Sequence, residues 1–94
     1  MTLLRKHIKF YGRIQGVGFR YRAEKSASIY DIYGWIRNNS DGSVEMEVQG
    51  EEENIDKMIE LIKQGNFIEV NVIEEKNIPF IPLELILLIL INNF

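Results

Sequence analysis

A strand-like segment that gives way to a helix across two closely spaced glycines is the feature that most constrains this chain. Residues 12–20 read Gly-Arg-Ile-Gln-Gly-Val-Gly-Phe-Arg. Gly16 and Gly18 can both take positive φ, which turns successive backbone N–H groups toward one point. The N-terminal N–H groups and positive dipole end of the following helix point to the same place. Arg20 adds a planar guanidinium that can bind two phosphate oxygens, so the segment predicts a pocket for a phosphoryl group.

Two better-known glycine motifs do not fit this segment. A Walker loop ends in Gly-Lys-Ser/Thr, and a dinucleotide-binding fingerprint requires a third glycine where this chain has Tyr21. A Gly-x-Gly turn by itself can also be an ordinary connection between a strand and a helix. Other motifs in the chain must therefore decide between a binding site and a plain turn.

Three short motifs taken together resemble the acylphosphatase family. Gln-Gly-Val-Gly-Phe-Arg at 15–20 is followed by Gly-Trp-Ile-Arg-Asn at 34–38 and by Asp-Gly-Ser-Val-Glu at 41–45. The resemblance extends over residues 10–50 and depends mainly on the first two motifs, which are specific.

The resemblance implies that Arg20 and Asn38 are the catalytic pair in the hydrolysis of an acyl phosphate, a small-molecule substrate, with no metal and no cofactor. Asn38 would orient the attacking water but cannot deprotonate it, because an amide is not a base at neutral pH. An acyl phosphate tolerates this, since it has a good leaving group and a loose transition state. The backbone N–H groups expected to bind the phosphoryl oxygens are those of Gln15, Gly16, Val17, Gly18 and Phe19.

The composition favours one small globular domain over residues 1–94, with 46% hydrophobic and 27% charged residues. The chain has no cysteine, which excludes disulfides and thiolate metal sites, and its first residues do not resemble a secretory signal, so we expect a cytoplasmic protein. A net charge of −3 argues against nucleic-acid binding. Positive charge is nevertheless concentrated around the glycine turn, at Lys6, Lys9, Arg13, Arg20, Arg22 and Lys25.

Hydrophobic periodicity predicts six elements in the order βαββαβ. The predicted strands are Lys6–Gln15, Gly34–Asn39, Ser43–Gln49 and Phe67–Glu75, and the predicted helices are Phe19–Tyr30 and Glu51–Gln64, with Gly65 as a C-cap glycine. In the last strand, Ile68, Val70 and Val72 are expected to share one face. This order predicts an α+β, ferredoxin-like split βαβ sandwich, an antiparallel sheet with two helices on one face. The family resemblance implies the same fold.

Several side chains in and near the motifs have structural interpretations. Arg20 can be interpreted as a solvated first-turn arginine and Asn38 as a turn former, although the motif context favours the catalytic roles. Trp35 is expected in the core. We interpret Glu45 and Glu47 as the solvated face of a strand, and His7 as an exposed residue with no acid near it in sequence.

Two departures from the family pattern stand out. Asp31 replaces a glycine that follows the first helix, where we expect a left-handed residue, a small loss of stability and no loss of chemistry. Segment 83–94 is atypical, because residues 85–91 are all apolar. This run is too short for a transmembrane segment. We expect a fifth strand that supports a homo-oligomer, the alternatives being attachment to a membrane surface or an altered terminus prone to aggregate.

Two other functions compete with catalysis. A non-catalytic anion-binding or regulatory module could use the same fold, since a fold does not fix an activity. Single-stranded RNA binding occurs on similar sandwiches, but no segment matches the RNP1 pattern and the net charge has the wrong sign.

Overall fold

The computed structural model describes residues 2–82 and residue 85. The elements are β1 (Leu3–Arg13), α1 (Phe19–Ile29), β2 (Tyr33–Asn38), β3 (Val44–Glu51), α2 (Glu52–Lys63) and β4 (Glu69–Ile78). They form one antiparallel sheet in the order β2-β3-β1-β4, which confirms the predicted split βαβ topology. The predicted fifth strand lies outside the described residues. Within the described residues, neither helix is long and apolar enough to cross a bilayer.

The hydrophobic core lies between the two helices and one face of the sheet, and we refer to the opposite face as the open face. Ile8 and Phe10 of β1 are completely buried, and the helices contribute Phe19 and Ile55 among others. The Phe10 and Phe19 rings meet edge to face, with centroids 5.1 Å apart. This contact ties the start of α1 to the central strand.

Helix α2 has the buried stripe and the acidic first turn that its sequence predicts. Ile55, Met58, Ile59 and Ile62 are buried along one stripe, as their spacing predicts, and the first turn carries Glu52 and Glu53. Gly65, however, is not a left-handed C-cap, because its φ is not positive. A Cβ at Gly65 would lie 2.6 Å from Cδ1 of Ile68 and 3.0 Å from Cδ of Arg22, so this glycine provides space.

The prediction that Val72 shares one face of β4 with Ile68 and Val70 is wrong. Val72 pairs with Tyr11 but Val70 pairs with Gly12, so one extra residue forms a β-bulge and the alternation reverses. Val72 is therefore 52% exposed on the open face. Ile73 packs against the core instead.

The segment that follows β4 crosses the open face at β3. The side-chain amide of Gln49 donates to the carbonyl oxygen of Ile81 at 2.8 Å, and the Ile81 N–H donates to Oε1 of Gln49 at 3.1 Å. Nη1 of Arg5 donates to the same Oε1 at 3.0 Å. The described chain is thus fixed to the sheet up to this segment.

The end of α1 confirms the left-handed conformation expected for Asp31, which has φ 55°. The N–H of Ile32 donates to the carbonyl oxygen of Ala27 at 2.9 Å, closing the last turn around this residue.

Replacing Asp31 with glycine is expected to stabilise the fold by about 0.5 to 1 kcal/mol, because glycine takes positive φ without a Cβ penalty. Asp31→Ala should instead lower stability. Urea unfolding at neutral pH measures both changes, and an Asp31→Gly variant less stable than the wild type would contradict this account.

Candidate active site

The loop between β1 and α1 has the conformation that its glycines predict. Gly16 has φ 76° and Gly18 has φ 83°, and a Cβ added to either would meet nothing within 4 Å. The glycines are therefore required by the backbone conformation and not by lack of space. Gly18 is the N-cap of α1, with no side-chain cap and no acidic residue in the first turn. Its first N–H groups and positive dipole end are suited to bind an anion.

Two buried residues hold this loop at its ends. Ile14 is 1% exposed just after β1, and Phe19 is buried at the start of α1. Val17 is partly buried and also packs against the core. Because the flanking side chains belong to the core, the loop conformation is fixed by the fold.

Arg20 lies beside this loop, in the first turn of α1, and reaches strand β2. Its Nη2 donates to the carbonyl oxygen of Ile36 at 3.4 Å and its Nε to Oε1 of Glu24 at 3.3 Å. The side chain is 61% exposed, so these long contacts leave the guanidinium accessible to an anion.

Asn38 is the exposed last residue of β2, paired with Val44 of β3. Since side chains alternate along a strand, Asn38 shares a face with Ile36, which is partly buried against the core. Arg20 contacts the carbonyl of that same Ile36. Arg20 and Asn38 are thus on the helix side of β2 rather than on opposite faces of the sheet. Their catalytic roles stay a prediction.

The side chain of Gln15 makes two hydrogen bonds that the sequence did not reveal. Its Nε2 donates to the carbonyl oxygen of Asn39 at 2.7 Å and to that of Ser43 at 3.0 Å. Both residues belong to the turn that follows Asn38. The loop is therefore bonded to the β2–β3 turn.

Internal hydrogen bonds hold the β2–β3 turn itself. The Asn39 N–H donates to the carbonyl oxygen of Ser43 at 2.9 Å, and the Asn39 amide donates to the Ser43 hydroxyl at 3.0 Å. The Ser43 hydroxyl and N–H both bond to Oδ1 of Asp41, and they lower the pKa of that carboxyl below its usual value. Ser43 is buried, so the turn behaves as one unit.

On the open face, the interpretation of Glu45 as solvated is wrong, and His7, which has no acid near it in sequence, has one near it in space. Glu45 is only 9% exposed, and its carboxylate lies 2.6 Å from Nε2 of His7 and 2.6 Å from Nη2 of Arg37. Strands β1 and β2 flank β3, so residues distant in sequence meet here. Glu47 is partly buried and paired with Arg5.

The expectation that Trp35 belongs to the core is also wrong. Trp35 is 39% exposed, and the Arg37 guanidinium lies 5.4 Å from its ring centre. Strand β2 is at the edge of the sheet, and Trp35 alternates with Ile36, whose side chain packs on the core side.

The hydrogen bonds of Glu45 predict acid sensitivity. The hydrogen bond with His7 first, and the one with Arg37 second, lower the pKa of Glu45 from 4.5 to about 2. The folded chain therefore binds fewer protons at this site than the unfolded chain, so the stabilisation is complete above the unfolded pKa and is lost as the pH falls toward the folded value.

Glu45→Gln should therefore lower stability at neutral pH and flatten its decline between about pH 5 and pH 2. Urea unfolding at several pH values measures this, with Glu53→Gln at an exposed helix position as the control. An acid decline as steep as that of the wild type would show that Glu45 is not responsible.

Among residues 2–82 and 85, no three His, Cys, Asp or Glu side chains are grouped to hold a metal ion.

The fold and this loop define a class of protein: a small α+β sandwich with a glycine loop suited to anion binding where its first strand meets its first helix. The family model for acylphosphatase matches residues 6–82. An acylphosphatase of Clostridium acetobutylicum is 48% identical over 73 residues, which cover 77% of this chain and 80% of that protein. One of Thermococcus kodakarensis is 40% identical over 65 residues, covering 69% and 71%.

The solved structures agree with the sequence comparisons. The crystal structure of acylphosphatase from Bacillus subtilis superposes with a TM-score of 0.77 at 33% identity, covering 85% of this chain and 89% of that one. The chain belongs to the acylphosphatase family, which confirms the resemblance in its motifs.

Proposed function

We propose that this protein hydrolyses an acyl phosphate to a carboxylate and inorganic phosphate, with the phosphoryl group bound at residues 15–20. The observation that carries this proposal is the loop itself: two left-handed glycines and an uncapped helix N terminus next to an accessible arginine. Family membership supports the same activity.

The phosphoryl oxygens would accept hydrogen bonds from the backbone N–H groups of the loop, from Gln15 to Phe19. The Arg20 guanidinium would leave Glu24 and bind two of these oxygens, which its planar fork favours. Because the core fixes the loop, these donors are in place before charge develops on the phosphoryl group.

Asn38 would hold the attacking water by its side-chain amide, on the side of β2 from which Arg20 is reached. Attack at phosphorus forms the new P–O bond and breaks the P–O bond to the acyl group. The carboxylate leaves with the electron pair, and the protons of the water stay with the phosphate. Since a carboxylate is a good leaving group, orientation and electrostatics suffice without a side-chain base, a metal or a cofactor.

Three wider predictions accompany this proposal. We propose one domain over residues 1–94, a cytoplasmic location and self-association through the apolar segment 83–94. The single domain rests on length and composition, and the cytoplasmic location rests on the absence of cysteine. Self-association rests on the seven consecutive apolar residues. Sedimentation equilibrium of the full chain and of a chain with charged substitutions in 85–91 tests the third.

Benzoyl phosphate hydrolysis by the wild-type protein tests the function directly. We expect turnover that persists with excess EDTA and is inhibited competitively by inorganic phosphate, which would bind the same loop. A folded protein that binds phosphate but hydrolyses no benzoyl phosphate faster than buffer would contradict the enzyme and favour the anion-binding module.

A further inference from the structure

We infer that Gln15 is a positioning residue, whose side chain sets the place of Asn38 relative to the phosphate loop. This inference rests on the proposed function, in which the loop binds phosphate and Asn38 orients water. The backbone N–H of Gln15 belongs to the loop, whereas its side-chain amide is directed at the β2–β3 turn.

The sheet itself does not bring the two parts of the site together. The loop follows β1 and Asn38 ends β2, and these strands are separated by β3. With neighbouring strands about 4.8 Å apart, the gap between β1 and β2 is about 10 Å. Productive in-line attack requires far better placement than strand pairing at an exposed edge provides.

Gln15 bridges this gap at one point. Its Nε2 donates to two carbonyl oxygens, 2.7 Å away on Asn39 and 3.0 Å away on Ser43. A primary amide has two N–H donors, so both are used in the turn and neither is left for a substrate oxygen. The side chain therefore does not act as a phosphate ligand.

The hydrogen bonds of the turn connect Gln15 to the residue next to Asn38. Asn39 directly follows Asn38, and its N–H donates to the same Ser43 carbonyl oxygen that Gln15 contacts. Ser43 is 1% exposed and is bonded to Asp41, so the turn has little freedom to absorb a shift. The Arg20 contact at Ile36 is longer, at 3.4 Å, and lies two residues before Asn38. Gln15 is thus the closer connection.

Gln15→Met tests this role, because methionine keeps the length of the side chain and removes both donors. We expect kcat for benzoyl phosphate to fall about tenfold or more, since small misplacements have effects of this size. The inhibition constant for inorganic phosphate should change less than about twofold, because loop N–H groups and Arg20 still bind it. Gln64→Met, at the exposed end of α2, is the matched control and should behave as the wild type.

The same change in an Asn38→Ala chain shows whether Gln15 acts through Asn38. If it does, Gln15→Met should cause no further loss of kcat there. An equal loss in both backgrounds, or a phosphate inhibition constant that rises in parallel with the loss of kcat, would overturn the inference.

Gln15→Glu supplies a pH signature. An ionised carboxylate has no hydrogen to donate to the two carbonyl oxygens, whereas a protonated one has a single O–H. The activity of this variant relative to the wild type should therefore rise as the pH is lowered. A ratio that does not vary with pH would contradict the hydrogen-bonding role.

Hydrogen exchange separates this inference from the proposed function. Wild-type turnover alone decides the function, whereas the Asn39 N–H should exchange faster in Gln15→Met whether or not the protein is active. Unchanged exchange at Asn39 would overturn the role of Gln15 even in an active enzyme.

Discussion

Arg20→Ala should lower kcat/KM for benzoyl phosphate by about a hundredfold or more, the loss typical when a donor to a developing anion is removed. The guanidinium lies next to the loop and is accessible, so its removal should also weaken inhibition by inorganic phosphate. Arg20→Lys keeps the charge without the planar fork and should be intermediate.

Asn38→Ala should lower kcat by a similar factor through a different step. The side chain would orient water rather than bind phosphate, so the inhibition constant for phosphate should stay close to that of the wild type. The two variants are therefore distinguished by phosphate inhibition, with circular dichroism and unfolding curves showing that both are folded.

Arg13→Ala is the matched control for charge. Arg13 is an exposed arginine at the end of β1, so its loss should change kcat/KM only a few-fold, and less at high salt. A folded Arg20→Ala variant with activity near that of Arg13→Ala would contradict the assignment of Arg20.

The second large effect is expected at Gly12, where β1 passes the bulge in β4. Gly12 has φ 145°, and a Cβ there would lie 2.0 Å from the carbonyl oxygen of Glu69. Both backbone strain and a clash with the backbone of a paired strand would follow. We expect Gly12→Ala to destabilise the fold by about 3 kcal/mol or more, which for a domain of this size lowers Tm by more than about 10 °C.

Gly42→Ala separates strain from the clash. Gly42 has φ 91° in the β2–β3 turn, and nothing lies within 4 Å of a Cβ placed there. Only the strain remains, about 1 kcal/mol. Similar Tm values for the two variants would show that the β4 backbone moves away from Gly12 at little cost.

The parts of the structure that depend on local sequence were predictable. The apolar stripe of α2 and the left-handed Asp31 both follow from spacings and turn preferences within a few residues. The positive φ of Gly16 and Gly18 belongs to the same group, as does the order of the six elements.

The parts that depend on pairing between distant residues were not predictable from local patterns. The bulge opposite Gly12 reverses the faces of β4 and exposes Val72, although Ile68, Val70 and Val72 alternate in the sequence. The partners of Glu45 come from two other strands. Gln15 bonds to residues of the β2–β3 turn that lie 24 and 28 positions further along the sequence, and no motif specifies where a glutamine side chain will point.

Because the loop is attached to the core at Ile14 and Phe19, its conformation exists only when the chain is folded, so binding at the loop is coupled to folding. An anion held by backbone groups that exist only in the folded chain stabilises that chain by RT ln(1 + [L]/Kd). A hundredfold excess of phosphate over its Kd adds about 2.7 kcal/mol, comparable with the loss expected for Gly12→Ala. Phosphate buffer would then offset much of the stability lost through substitutions far from the loop. The measured free energy of unfolding of one variant would therefore depend on the anion in the buffer.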